Sequence, residues 1–88
     1  MTELDALRLK IDGIDEEIVR LLEDRMQLAR EIGACKASCG MPVLDPERET
    51  VVIESRTAML QNMENAEAVR EIYKLIMQFA RENQGDKQ

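Results

Sequence analysis

Two side chains of this 88-residue chain carry charge where it is costly or against the local trend, Arg25 and Arg48, and Lys36 and Glu49 stand close enough to join them. In the stretch LLEDRMQLAREIGACK, residues 21–36, Arg25 interrupts an apolar seam. The seam runs Leu4, Leu7, Ile11, Ile14, Ile18 and Leu21, then resumes at Leu28, Ile32 and Cys35. A guanidinium placed there needs a partner, and its planar fork suits a carboxylate. The position equally suits a register-fixing polar residue, or an Arg whose stem packs while its head reaches the rim. Lys36 returns to nearly the same helix face about 16 Å further along the axis. Arg48 stands in the first turn of a second helix, against the dipole preference for acidic residues, and beside Glu49. Three cations and one carboxylate can converge on one end of a helical bundle. Such a pocket suits a small dianion and keeps a single acceptor for a hydroxyl.

The elements that must position these groups are helical. The spacing predicts a first helix over about 4–37, with Thr2 as N-cap and Glu3 and Asp5 in the first turn. Gly13 costs about 1 kcal/mol against Ala, but the seam keeps its phase on both sides, so one helix is expected rather than two. It would be roughly 50 Å long. Gly40 and Pro42 in SCGMPVLD end the pattern. A second helix is expected over 46–63, with Asp45 as N-cap, Pro46 at the first helical position and an apolar face of Val52, Met59 and Met63. A third, over 66–83, is capped by Asn65 and carries Val69, Ile72, Tyr73, Ile76 and Phe79 at three-and-four spacing. The closing QGDKQ is polar. The fold class is therefore all-α: one long helix and two shorter ones in a single domain, 1–88. A seam that runs the whole length of the long helix leaves apolar surface exposed in one chain. An intertwined homodimer, formed through the first helix, is the expected state.

Composition narrows the function. A net charge of −6 speaks against a nucleic-acid surface. Unbroken aliphatic runs no longer than VVI at 51–53 speak against a membrane span. MTELDALRLK shows no apolar run after a basic start, so a cytoplasmic protein is expected. Cys35 and Cys39 without any His do not complete a zinc site, and both read as small buried apolar residues. Asp12, Asp15, Glu16, Glu17, Arg20, Glu23, Asp24 and Glu31 fall off the seam and read as a solvated face. No metal or other cofactor is expected.

The run LRLKIDGIDEEIVRLLEDRMQLAREIGACK, the break MPVLDPERE and the short closing helix together resemble the all-helical class of chorismate mutase. The likeness extends from about Leu4 to Gln84. It implies conversion of chorismate to prephenate by a pericyclic rearrangement. It also implies that Arg8 enters from the partner chain, and that Arg25, Lys36 and Arg48 hold the two carboxylates. Asp45, through its backbone, and Glu49 would flank the ring hydroxyl, while Lys36 and Gln84 would donate to the ether oxygen. Lys36, Gln84 and Arg25 are thus the implied catalytic residues. Ala80 stands where members of the class often carry a hydroxyl, which removes one carboxylate contact.

Geometry favours a shared site, because Arg8 and Arg25 are about 25 Å apart on one helix. An antiparallel pair centred near Glu16 and Glu17 lays Arg8 of one chain beside Arg25 of the other. Two other readings stay open. An isochorismate-pyruvate lyase would use the same scaffold on a near-identical dianion, and a non-catalytic dimeric module would use Arg25 only to set register.

Overall fold

The computed structural model describes residues 2–85. Among them are α1 (Glu3–Cys39), α2 (Pro46–Thr57), a 3-10 turn (Met63–Asn65) and α3 (Ala66–Asn83), with no strand. Met1 and the last three residues of the polar tail lie outside the described residues.

Local chemistry explains where α1 starts and stops. Thr2 Oγ1 accepts the backbone N–H of Asp5 at 3.1 Å, and Asp5 Oδ2 accepts that of Thr2 at 3.2 Å, closing a capping box. The helix passes through Gly13 without a break and continues for 37 residues. Gly40 stops it at φ 69°, a left-handed conformation that glycine adopts without strain. There the N–H of Met41 reaches back to Lys36 O at 2.8 Å, which turns the chain toward α2.

α1 sets the shape. At about 1.5 Å per residue it measures roughly 55 Å, and the long axis of the molecule is 56 Å. The radius of gyration is 16.3 Å, whereas a compact chain of this length would have about 12 Å. α3 packs against both α1 and α2. The buried residues are few: Ala29 and Gly33 on α1, Val52 and Thr57 on α2, and Met77 on α3. From Leu7 to Leu21 every residue of α1 is exposed, and Leu7, Ile11, Ile14 and Ile18 stand in solvent in the single chain. No helix among the described residues is long and apolar enough to cross a membrane.

Four expectations need correction. α2 ends at Thr57, not near Met63. Thr57 Oγ1 bonds back to Ile53 O at 2.7 Å, and the N–H groups of Met59 and Leu60 take tighter three-residue turns that close the helix. Met59 and Met63 consequently lie beyond the apolar face of α2 and are exposed, leaving Val52 as its buried anchor. Asn65 precedes α3 but makes no side-chain cap; Asn62 instead accepts the N–H of Glu64 at 3.0 Å and starts the 3-10 turn. Cys35 and Cys39 are both exposed in the single chain, on the free faces of the last turns of α1. On α3, Ile72 and Phe79 are exposed in the single chain, and Met77, absent from the three-and-four set, is the buried residue.

Met77 is where α3 meets the rest of the small core. Met77→Ala should lower unfolding free energy by about 2–5 kcal/mol. Denaturant melts at matched protein concentration check this, and a loss under about 1 kcal/mol would show that the core does not centre there.

Candidate functional site

Four segments meet at the C-terminal end of α1: α1 itself, the 40–45 loop, the first turn of α2 and the last turn of α3. Each is brought there by a local cause. The left-handed turn at Gly40 folds the loop back until Val43 O accepts a hydrogen bond from Lys36 Nζ at 2.9 Å. Asp45 Oδ1 then caps α2 by accepting the N–H of Arg48 at 3.1 Å, with Pro46 at the first helical position. The capped turn faces Arg48 and Glu49 toward α1.

α3 arrives by a close approach. A Cβ placed on Gly33 would lie 2.5 Å from the carbonyl oxygen of Gln84 and 2.6 Å from its Cα, so only glycine lets the two backbones touch. Nearby, Arg30 Nη1 donates to Asn83 Oδ1 at 2.8 Å, and Asn83 Nδ2 donates to Phe79 O at 2.8 Å. These contacts fix the end of α3 on α1. Lys36 Nζ, already bonded to Val43 O, donates to Gln84 Oε1 at 2.7 Å.

The result is a cavity of about 280 Å³. Arg25, Lys36, Asp45, Arg48, Glu49, Ala80 and Gln84 all line it, so seven residues singled out from the sequence share one space. Ile32, Val43, Val52 and Met77 form its apolar walls. Arg8 is not there: it is exposed on the free N-terminal part of α1, about 25 Å from Arg25 along the helix.

Sequence reasoning missed Arg81, which also lines the cavity and whose Nη1 lies 2.6 Å from Glu49 Oε1. Its signal was present, since Arg81 is three residues before Gln84 and shares its end of α3. A basic residue in the last turn of a helix is so ordinary, however, that only the packing of α2 on α3 singles it out. Gly33 was missed as well, because its role depends on Gln84, far away along the chain.

Electrostatics set this cavity apart from the rest of the molecule. It gathers four cations and two carboxylates, a formal surplus of two positive charges, in a chain whose net charge is −6. Asp45 is occupied as a helix cap and Glu49 is paired with Arg81. Arg25 is half-buried, yet among the described residues its guanidinium has neither ion pair nor hydrogen bond. Among the described residues the Arg48 side chain likewise has neither ion pair nor hydrogen bond. Two unpaired guanidinium forks beside a lysine and a carboxamide make a receptor for a small anion with more than one acidic group.

Arg25 and Ala80 also border a second, apolar cavity of about 450 Å³ between α1 and α3. Ile18, Leu22 and Met26 on one side face Ile72, Leu75 and Phe79 on the other. No cluster of His, Cys, Asp or Glu with metal-binding geometry occurs among the described residues.

Fold and cavity define an all-α protein with a small, net-positive cavity at one end of its long helix. The chain belongs to the chorismate mutase type II family, whose model matches residues 7–85. It is 50% identical over 54 residues to a bifunctional chorismate mutase/prephenate dehydratase of Aquifex aeolicus, covering 61% of this chain and 15% of that protein. It is 38% identical over 52 residues to a chorismate mutase of Methanocaldococcus jannaschii, covering 59% of this chain and 52% of that protein. The chain therefore spans about half, or much less, of the length of these curated relatives. Among solved structures, a conserved hypothetical protein from Pyrococcus furiosus superposes with a TM-score of 0.77 at 32% identity. That match covers 96% of this chain and 97% of the other.

The close approach at Gly33 generates a test. Gly33→Ala should keep the three helices but push the end of α3 away, breaking the Lys36–Gln84 hydrogen bond. A crystal structure of the variant checks this, and an unmoved Gln84 would contradict it.

Proposed function

We propose that this chain is a chorismate mutase that isomerises chorismate to prephenate, in the cytoplasm, within aromatic amino-acid biosynthesis. The observation that carries the reading is the Lys36–Gln84 pair, 2.7 Å apart, inside a cavity with unpaired Arg25 and Arg48. Membership of the chorismate mutase type II family supports it. The exposed thiols of Cys35 and Cys39 suit a reducing compartment.

The reaction is a Claisen-type rearrangement. The ether C–O bond breaks as a C–C bond forms, electrons move around a six-membered ring, and no atom passes to the protein. Catalysis then consists of holding the reactive shape and stabilising the charge that grows on the ether oxygen. Arg25 and Arg48 bind the two carboxylates and hold the substrate in its compact diaxial form. Lys36 uses two of its three N–H groups on Val43 O and Gln84 Oε1, leaving a third to aim at the ether oxygen. Gln84 presents its Oε1 to Lys36, which turns its amide NH₂ toward the same point. These donors are fixed before the reaction begins, so they strengthen as charge develops without reorganising. Glu49 and the backbone of Asp45 take the ring hydroxyl. Ala80 supplies no hydrogen bond, so the nearby carboxylate depends on the arginines alone.

The working form is a homodimer with two shared sites. Exposed Leu7, Ile11, Ile14 and Ile18 on α1, and the apolar cavity between α1 and α3, give a second copy a surface to cover. Antiparallel pairing of α1 about Glu16 and Glu17 places Arg8 of the partner subunit beside Arg25, completing the grip on a carboxylate.

Three outcomes are expected. Arg25→Ala should lower kcat/KM at least about 100-fold, the scale of losing one partner of a desolvated charge pair. Its circular dichroism should stay helical and its sedimentation dimeric; surviving turnover would place the pocket elsewhere. kcat should be level across neutral pH, because the Gln84 amide carries no proton to lose, and a steep rise on acidification would contradict its role. Pyruvate release from isochorismate at a rate matching chorismate loss would instead favour the lyase reading.

A further inference from the structure

We propose that Arg81 is a positioning residue of this site: it cancels the charge of Glu49 and aims its carboxylate, so that the cavity's one free acceptor meets the substrate hydroxyl without repelling the two substrate carboxylates. The inference rests on the chorismate mutase reading.

A carboxylate inside a dianion pocket is a liability, because like charges at close range oppose binding. Glu49 Oε1 lies 2.6 Å from Arg81 Nη1, leaving Oε2 as the acceptor that can face the cavity. The two side chains are 25% and 22% exposed, whereas the other ion pairs among the described residues all have side chains above 40%. This pair is therefore shielded from water where the others are screened by it. Without Arg81 the surplus positive charge of the cavity would fall by half. Position also links Arg81 to the chemistry. It projects from the end of α3 that presents Gln84, and Glu49 projects from the first turn of α2. The ion pair thus sets the acceptor on α2 relative to the donor on α3.

A merely structural tie between α2 and α3 would be redundant with Val52, Thr57 and Met77, which already bury that contact. The two roles separate in steady-state kinetics with chorismate on the full chain, using Arg81→Gln, Arg81→Lys, Glu49→Gln and the Glu49→Gln/Arg81→Gln double variant. Arg81→Gln should raise KM about tenfold and change kcat less than about threefold, because the hydroxyl contact is felt equally in ground and transition states. Arg81→Lys, which keeps the charge, should raise KM no more than about threefold. In the Glu49→Gln background, Arg81→Gln should shift KM less than about twofold. A lower Tm with unchanged KM, or the same KM factor in both backgrounds, overturns the proposal. If Arg81→Gln does not fold, Arg81→Lys carries the test: a KM rise that vanishes in the Glu49→Gln background supports the proposal, and one that persists overturns it. A wild-type protein without chorismate turnover overturns the mutase reading and this inference with it. Wild-type turnover with an indifferent Arg81→Gln overturns this inference alone.

Discussion

The backbone of Gln84 rests on Gly33 with no room for a methyl group between them, and the cavity depends on that contact. Apolar side chains alone would let α3 pack on α1 at many heights. The glycine gives it one height at which the chains touch, and the Arg30–Asn83 hydrogen bond holds it there. From that register follow the Lys36–Gln84 hydrogen bond, the Glu49–Arg81 ion pair and the shared wall at Ala80. The C-terminal third of α1 is thus the platform on which both shorter helices are aligned.

The second governing feature is charge held without a partner. An acidic chain has many carboxylates that could neutralise a half-buried guanidinium, yet Arg25 has none among the described residues. Leaving a desolvated cation unpaired lowers stability. Helix capping by Asp45 and pairing of Glu49 with Arg81 keep the two nearby carboxylates from quenching Arg25 and Arg48. The cavity therefore keeps a cationic surplus that only an outside anion can satisfy.

Much of this could be read from the sequence because it is local. Three-and-four spacing gave α1 and α3, and the Asp45-Pro46 start of α2 follows from capping chemistry. The break of the leucine seam at Arg25 pointed to the cavity before any packing was known. What escaped was set by distant partners or by competing turns. Thr57 and Asn62 use their side chains to close one helix and open a 3-10 turn, a competition that apolar spacing does not register. Cys35 looked like a core residue because it continues the seam, but that part of the seam faces outward in one chain. Gly33 and Arg81 look ordinary within their own helices, and their roles exist only where α3 crosses α1 and α2.

One chain leaves Arg8 far from the cavity and a long apolar face of α1 in water. In the proposed dimer the antiparallel helix pair is part of each site, which accounts for both. The most direct measurement is chorismate turnover after mixing and refolding two separately inactive variants, Arg8→Ala and Arg25→Ala, in equal amounts. A mixed dimer holds one site with both substitutions and one with neither, so activity should recover to about a quarter of the native value. A mixture no more active than its two components would contradict a site shared between chains.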